Sequence, residues 1–304
     1  MNARFSLMNF RRRFASVAIL AAAASLARAH PDHDEAATAT AAASISVEGA
    51  WRTVVATGLP DHETGRFPGP GNPNRVSAQD YRFRFTATPK AAARPTPIGM
   101  NRFGVAVNGV VFDPSAAEWW RDDRSSGWQY EALGGGRNLG VDAQHAHVQP
   151  TGAYHYHGLP TALWQRVSDG GRKMALLGWA FDGFPIYGPL IPADDTQPTG
   201  AVRAARSSYR LRSGSRPANS PGGAYDGTFT EDWIYVAGAG DLDESNGRFG
   251  PTPEFPQGTY YYVVTEQFPF LPRSWHGTPG EEFTRRRPPP PGGRPRRDRE
   301  RERD

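Results

Sequence analysis

Apolar residues in this chain come in short alternating runs, and glycine or proline repeatedly stops them. Tyr81, Phe83 and Phe85 alternate with Arg82, Arg84 and Thr86, the two-residue period of a half-buried strand. Val105 to Phe112 carries Asn108-Gly109 at its centre, the strongest two-residue hairpin signal. Further strands are expected at Trp51–Thr57, Met174–Phe181, Ser208–Arg212, Trp233–Ala237 and Thr259–Thr265. With 34 glycines and 28 prolines among 304 residues, little uninterrupted chain is left for helices. Only Asp113 to Trp120 reads as helical, with Asp113 as cap and Pro114 at the first position. The pattern predicts a mainly β fold: an antiparallel β-sandwich or barrel-like core with long loops and little helix.

The two ends are a different kind of polymer. Arg11, Arg12 and Arg13 precede an apolar run from Phe14 to Leu26, and Ala27-Arg28-Ala29 supplies a small-x-small cleavage pattern. Residues 1–29 therefore read as a signal peptide, and its apolar run from Phe14 to Leu26 is too short for a membrane span, which needs roughly 20 apolar residues. No later stretch suggests a transmembrane anchor. Arg11-Arg12-Arg13-Phe14 also suits the twin-arginine route, so Sec and Tat export both stay open, to the periplasm or the medium. Residues 30–44 read as a flexible leader, 45–284 as the β-rich domain and 285–304 as a disordered Pro/Arg-rich tail. The tail suits electrostatic contact with anionic surfaces. The chain's +4 charge belongs to these ends: taking away five arginines before His30 and a net five charges after Thr284 leaves −6 between them. A nucleic-acid partner is not expected of such a core.

The chain has no cysteine, which removes thiolate metal sites and cysteine nucleophiles. A core of this size folds without disulfides. Histidine is the residue that carries information. Four of the chain's eight histidines fall in two His-x-His pairs, His145-Ala146-His147 and His155-Tyr156-His157, on either side of Pro150-Thr151-Gly152. Residues two apart on a strand share a face. Pro150-Thr151-Gly152 suits a three-residue hairpin loop with glycine in the left-handed position. That loop pairs Gln149 with Ala153, sets His147 opposite His155 and His145 opposite His157, and puts Val148, Tyr154 and Tyr156 on the other face. Directly paired Cβ atoms lie about 4.5–5.5 Å apart, close enough for imidazoles to converge on one ion. Copper and zinc are the metals that favour imidazole. Asp142 is a candidate to orient a ring from behind, and His62 a distant ligand.

Tyr154-His155-Tyr156-His157, with Pro150-x-Gly152 before it, resembles the YHYH-domain family of exported bacterial proteins, named for that tetrapeptide. The likeness runs from about Gly58 to Gly277. It includes Gly58-Leu59-Pro60-Asp61-His62, Asn108-Gly109-Val110, His147-Val148-Gln149-Pro150, Asp182-Gly183-Phe184-Pro185-Ile186-Tyr187-Gly188 and Pro269-Phe270-Leu271-Pro272-Arg273. The resemblance implies an exported location and brings no biochemical activity. In the family pattern cysteines often stand near Ser245 and Ser274; if those cysteines pair, this chain forgoes a covalent staple.

Asp241-x-Asp243-x-x-Asn246-Gly247 has the residue types of a calcium loop, although Thr252 stands where an EF-hand places its glutamate. Gly134-Gly135-Gly136-Arg137 lacks the ending of a phosphate loop, and no G-x-S-x-G elbow occurs. The sequence thus points to an exported protein that binds copper or zinc through His145, His147, His155 and His157, with catalysis left open. The competing reading is a non-enzymatic module for glycan or another surface ligand, built on exposed aromatics such as Tyr260, Tyr261, Tyr262 and Trp275.

Overall fold

The computed structural model describes residues 40–284. The expected signal peptide, most of the leader and the arginine-rich tail lie outside the described residues. The first strands are β1 (Ala43–Glu48), β2 (Trp51–Ala56), β3 (Tyr81–Thr86), β4 (Ala91–Pro97), β5 (Gly104–Ala106) and β6 (Val111–Phe112). Next come β7 (Ala146–Val148), β8 (Tyr154–Tyr156), helix α1 (Thr161–Val167), β9 (Leu176–Ala180), β10 (Pro185–Tyr187), β11 (Leu190–Pro192) and β12 (Val202–Ala204). The remainder is β13 (Tyr209–Leu211), β14 (Trp233–Tyr235), β15 (Gly247–Gly250), β16 (Thr259–Val263), β17 (Ser274–Gly277) and the short helix α2 (Glu281–Thr284). Because β1 begins at Ala43, the last two residues of the expected leader belong to the folded domain.

The fold is mainly β and sandwich-like, as its alternation predicts. An eight-stranded sheet has the order β15-β16-β10-β9-β5-β6-β8-β7, and a three-stranded sheet runs β1-β2-β3. The larger sheet is mixed, with β10 parallel to β16 and β6 parallel to β8. Val54, Phe83 and Phe85 of the small sheet share one apolar cluster with Val105, Val111 and Trp179 of the large one and with Phe181 just past β9. Successive residues of β6 divide between clusters, Val111 here and Phe112 in a second cluster with Tyr154, Tyr156, Leu163 and Trp275. Both faces of the sheet centre are thus covered, and burial of this kind stabilises by about 25 cal/mol per Å² of apolar surface.

The helix expected over Asp113–Trp120 does not form. The Asp113 N–H bonds the Tyr156 carbonyl, which extends the β6–β8 ladder, and its carboxylate accepts from the Ser115 N–H and from Gln149 Nε2. Trp119, however, pairs with Gln129 in a β-bridge that keeps the segment extended. Only 3₁₀ turns at Trp120–Asp122 and Arg124–Ser126 follow. The longer of the two α-helices is α1, which starts just after Pro160 and buries Leu163.

Candidate metal centre

The histidine hairpin sits at one edge of the large sheet, where β7 pairs only with β8. Gly152 takes φ +82° and its N–H returns to the Gln149 carbonyl, while the Gln149 N–H bonds Ala153. The three-residue loop therefore sets the register Ala146 with Tyr156, His147 with His155 and Val148 with Tyr154. His147, His155 and His157 each offer a nitrogen within 4.8 Å of the other two, the only such group of metal-ligand side chains among the described residues. His157 Nε2 lies 3.1 Å from His147 Nε2 and 3.0 Å from His155 Nε2. All three ring centroids are 4.7 Å apart, with planes inclined by 65° to 86°.

Backbone carbonyls decide where the ring protons go. His147 Nδ1 donates to the Leu139 carbonyl at 2.7 Å and His155 Nδ1 to the Ala153 carbonyl at 3.2 Å. A carbonyl only accepts, so both rings carry their proton on Nδ1 and turn an Nε2 lone pair toward His157. His157 is 1% exposed, and its Nδ1 is buried with no partner among the described residues. Burial holds all three imidazoles neutral. It lowers His147 below the ordinary histidine value, takes His155 down to about 3 with help from the neighbouring His147, and takes His157 well down with help from His155, His147 and Arg273.

The fourth histidine is not brought to this point. His145 adopts φ +54°, in a turn where Asp142 Oδ1 accepts the N–H groups of Gln144 and Ala146. Its carbonyl still accepts the His157 N–H at 2.7 Å, so the backbone pairs as expected. The left-handed conformation breaks the strand alternation that would have aligned its ring, and Nδ1 instead meets the Leu159 carbonyl at 2.8 Å. Asp142 touches no imidazole: its other oxygen accepts the Tyr154 hydroxyl at 2.7 Å and the Gly65 N–H at 2.9 Å. His62 lies on the tyrosine face, with Nε2 2.7 Å from the Tyr156 hydroxyl. The calcium-like residues also have other partners. Asp241 is paired with Arg203 and Arg206, Asp243 accepts from Tyr260 and two loop amides, and the Asn246 side chain donates to Val263 and Thr265.

Several residues around the cluster carry no local sequence signal. Leu139 and Ala153 act through carbonyls, which no side-chain pattern reveals. Arg273 reaches Glu131 at 2.6 Å in a largely buried pair, and its charge disfavours protonation of His157. Asp113, read from sequence as a helix cap, is a buried carboxyl whose desolvation raises it to about 7 against the pull of Arg102. Chain neighbours do not hint at this, because Gln149 and Arg102 reach it from other segments.

The fold and the cluster define a β-rich domain whose edge hairpin presents two buried imidazoles and one partly buried, together able to hold one metal ion. The family model described as YHYH protein matches residues 82–277, well over half of the chain, and the protein belongs to that family. The match contains β7, β8 and all three clustered histidines. No curated protein and no solved structure matches the chain. No helix among the described residues is long and apolar enough to cross a membrane.

Proposed function

We propose that this protein is exported and binds a transition-metal ion, copper or zinc, through Nε2 of His147, His155 and His157. The observation that carries the reading is the proton arrangement. Two lone pairs converge on His157 Nε2, and one ring can donate a single proton in reply. If His157 carries its proton on Nε2, that proton serves two acceptors; if on Nδ1, the N–H is buried without a partner. A cation at the meeting point accepts all three lone pairs, with the His157 proton on Nδ1, and so removes the crowding of unshared lone pairs at Nε2. Zinc–nitrogen bonds of about 2.0–2.1 Å at tetrahedral angles put nitrogens roughly 3.3 Å apart, a small expansion of the spacing already present. Three nitrogens leave a fourth position, which is the arrangement in which zinc activates water or polarises a carbonyl. His147 is the least buried of the three and marks the side nearest solvent.

The test is elemental analysis of untagged protein recovered from the periplasm or medium, followed by titration of stripped protein with Zn²⁺ and Cu²⁺. One ion per chain is expected, with binding lost in His147→Ala, His155→Ala and His157→Ala and retained in His145→Ala. Equal affinity in a triple-alanine variant would overturn the reading.

A further inference from the structure

A cleft in the domain lies away from the histidine hairpin, and none of the three clustered rings lines it. It encloses about 600 Å³ between the β15–β16 hairpin and β17, within the range of roughly 300–1,000 Å³ typical of small-molecule sites. Phe249 is its outer wall. That side chain is 69% exposed, an unusual state for a phenyl ring on a strand. It is nonetheless placed: a Cβ on Gly258, which adopts φ +90°, would come within 3.0 Å of the ring. The absence of a side chain at Gly258 lets the phenyl lie over the turn.

The inner wall is polar at its edges and aromatic in its body. His276 stacks on Tyr260 with centroids 3.7 Å apart and planes 7° from parallel, and Phe184 meets both rings edge-on. The Tyr260 hydroxyl donates to Asp243, whose Oδ1 also accepts the Ser245 and Gly247 N–H groups. Asp243 Oδ2 takes only the Tyr260 hydroxyl, so it keeps acceptor capacity. No cation pairs with Asp243 among the described residues, in contrast to Asp241 and its two arginines. The His276 ring makes no hydrogen bond there either; only its backbone N–H is engaged, by Tyr262. Arg248, at the same wall, uses one nitrogen on Asp195 and has further N–H groups to give.

We infer that this cleft binds a neutral saccharide. A sugar ring offers an apolar C–H face to Phe249 and hydroxyls that donate to Asp243 Oδ2 and accept from Arg248 and His276. An anion would face Asp243, an amine would face Arg248, and a purely aromatic ligand would leave these polar groups unmatched as it excluded water. Of the aromatics that the sequence suggested for glycan stacking, Tyr261, Tyr262 and Trp275 are fully buried, and Tyr260 supports the site from beneath His276.

The experiment is calorimetric titration of the purified full chain with maltotriose, cellotriose and chitotriose, compared across Phe249→Ala and Phe249→Trp. Phe249 is surface-exposed, so neither change disturbs the core. Saturable binding of at least one trisaccharide is expected, weakened about tenfold or more by Phe249→Ala and restored by Phe249→Trp. Absence of binding by all three sugars overturns the proposal. So does equal affinity in Phe249→Ala, or a site that takes tetramethylammonium in their place. The readout is independent of His147, His155 and His157: a failure here leaves the metal reading standing, and the reverse holds.

Discussion

Replacing His157 by leucine separates a metal site from a packing motif, because the two make opposite demands on the metal-free protein. His157 is the hub: its Nε2 is 3.0 Å and 3.1 Å from the other two, while its Nδ1 is buried without a partner. A buried unsatisfied polar group costs about 1–3 kcal/mol. Leucine has similar bulk and no such group, so metal-free His157→Leu should be within about 1 kcal/mol of wild type or more stable than it. Metal should reveal the loss. At a free-ion concentration of about 100 Kd, binding to the native state alone stabilises it by about 2.7 kcal/mol. For a domain of this size that is a rise in Tm of about 5–10 °C. Wild type should show the rise with Zn²⁺ or Cu²⁺ and lose it with chelator, and His157→Leu should show none. The assay is differential scanning calorimetry of both proteins, stripped and loaded. An intact metal-induced shift in the variant would refute the reasoning. So would a drop of several kcal/mol in the stripped variant, which would mean that the imidazoles hold the fold by packing.

Tyr156→Phe should do the converse, lowering stability by about 1–2 kcal/mol through loss of bonds to His62 and Asn108 while leaving metal affinity within about twofold; a large loss of affinity would show that the two faces are coupled. Ser245 and Ser274 place their hydroxyls 2.7 Å apart, so a Ser245→Cys/Ser274→Cys variant should form a disulfide on oxidation and gain about 2–4 kcal/mol. Mass spectrometry of the oxidised variant checks this, and two free thiols would count against it. Burial raises Asp113 from 3.8 to about 7, so its contribution is fully present below pH 3.8 and is lost as pH rises toward 7. Asp113→Asn should therefore gain at most roughly 4 kcal/mol over wild type at pH 8 and nothing at pH 4, in melts with chelator present; equal stability at both pH values would refute it. Protein recovered from the periplasm or medium should begin at His30 by intact mass, and a chain retaining Met1 in the cytoplasm would end the export proposal.

The strands with a clear alternation or turn signal were legible because they rest on local chemistry, whereas others such as β4, β12 and β17 were not. The alternation of Tyr81, Phe83 and Phe85 and the Asn108-Gly109 turn each specify their strands without help from distant residues. The hairpin register was legible for the same reason, since Gly152 can take φ +82° with no steric cost. What escaped depends on groups from elsewhere in the chain. Asp113 and Pro114 form a sound helix start in isolation, yet Trp128 and Tyr130 take the Trp120 N–H and the Glu118 carbonyl in a β-bridge that holds the segment extended. His145 kept the spacing of a strand residue but lies in the turn that Asp142 organises. Asp241 and Asp243 look like cation ligands until Arg203, Arg206 and Tyr260 are placed beside them.

The tetrapeptide itself shows why both residue types are needed on one strand. Tyr154 and Tyr156 point into the core and anchor the hairpin through their hydroxyls, to Asp142 in one case and to His62 and Asn108 in the other. That fixed face leaves β8 with one register, because a slip by one residue would exchange every side chain between faces. The opposite face can then hold three neutral imidazoles closer together than they would stay unaided. Two of them are locked in tautomer by carbonyls on Leu139 and Ala153, so their lone pairs are aimed before any ligand arrives. The tyrosines supply the rigidity, and in the proposed metal site the histidines supply the ligands. Neither works from a strand free to slide, which is why the strand alternates them.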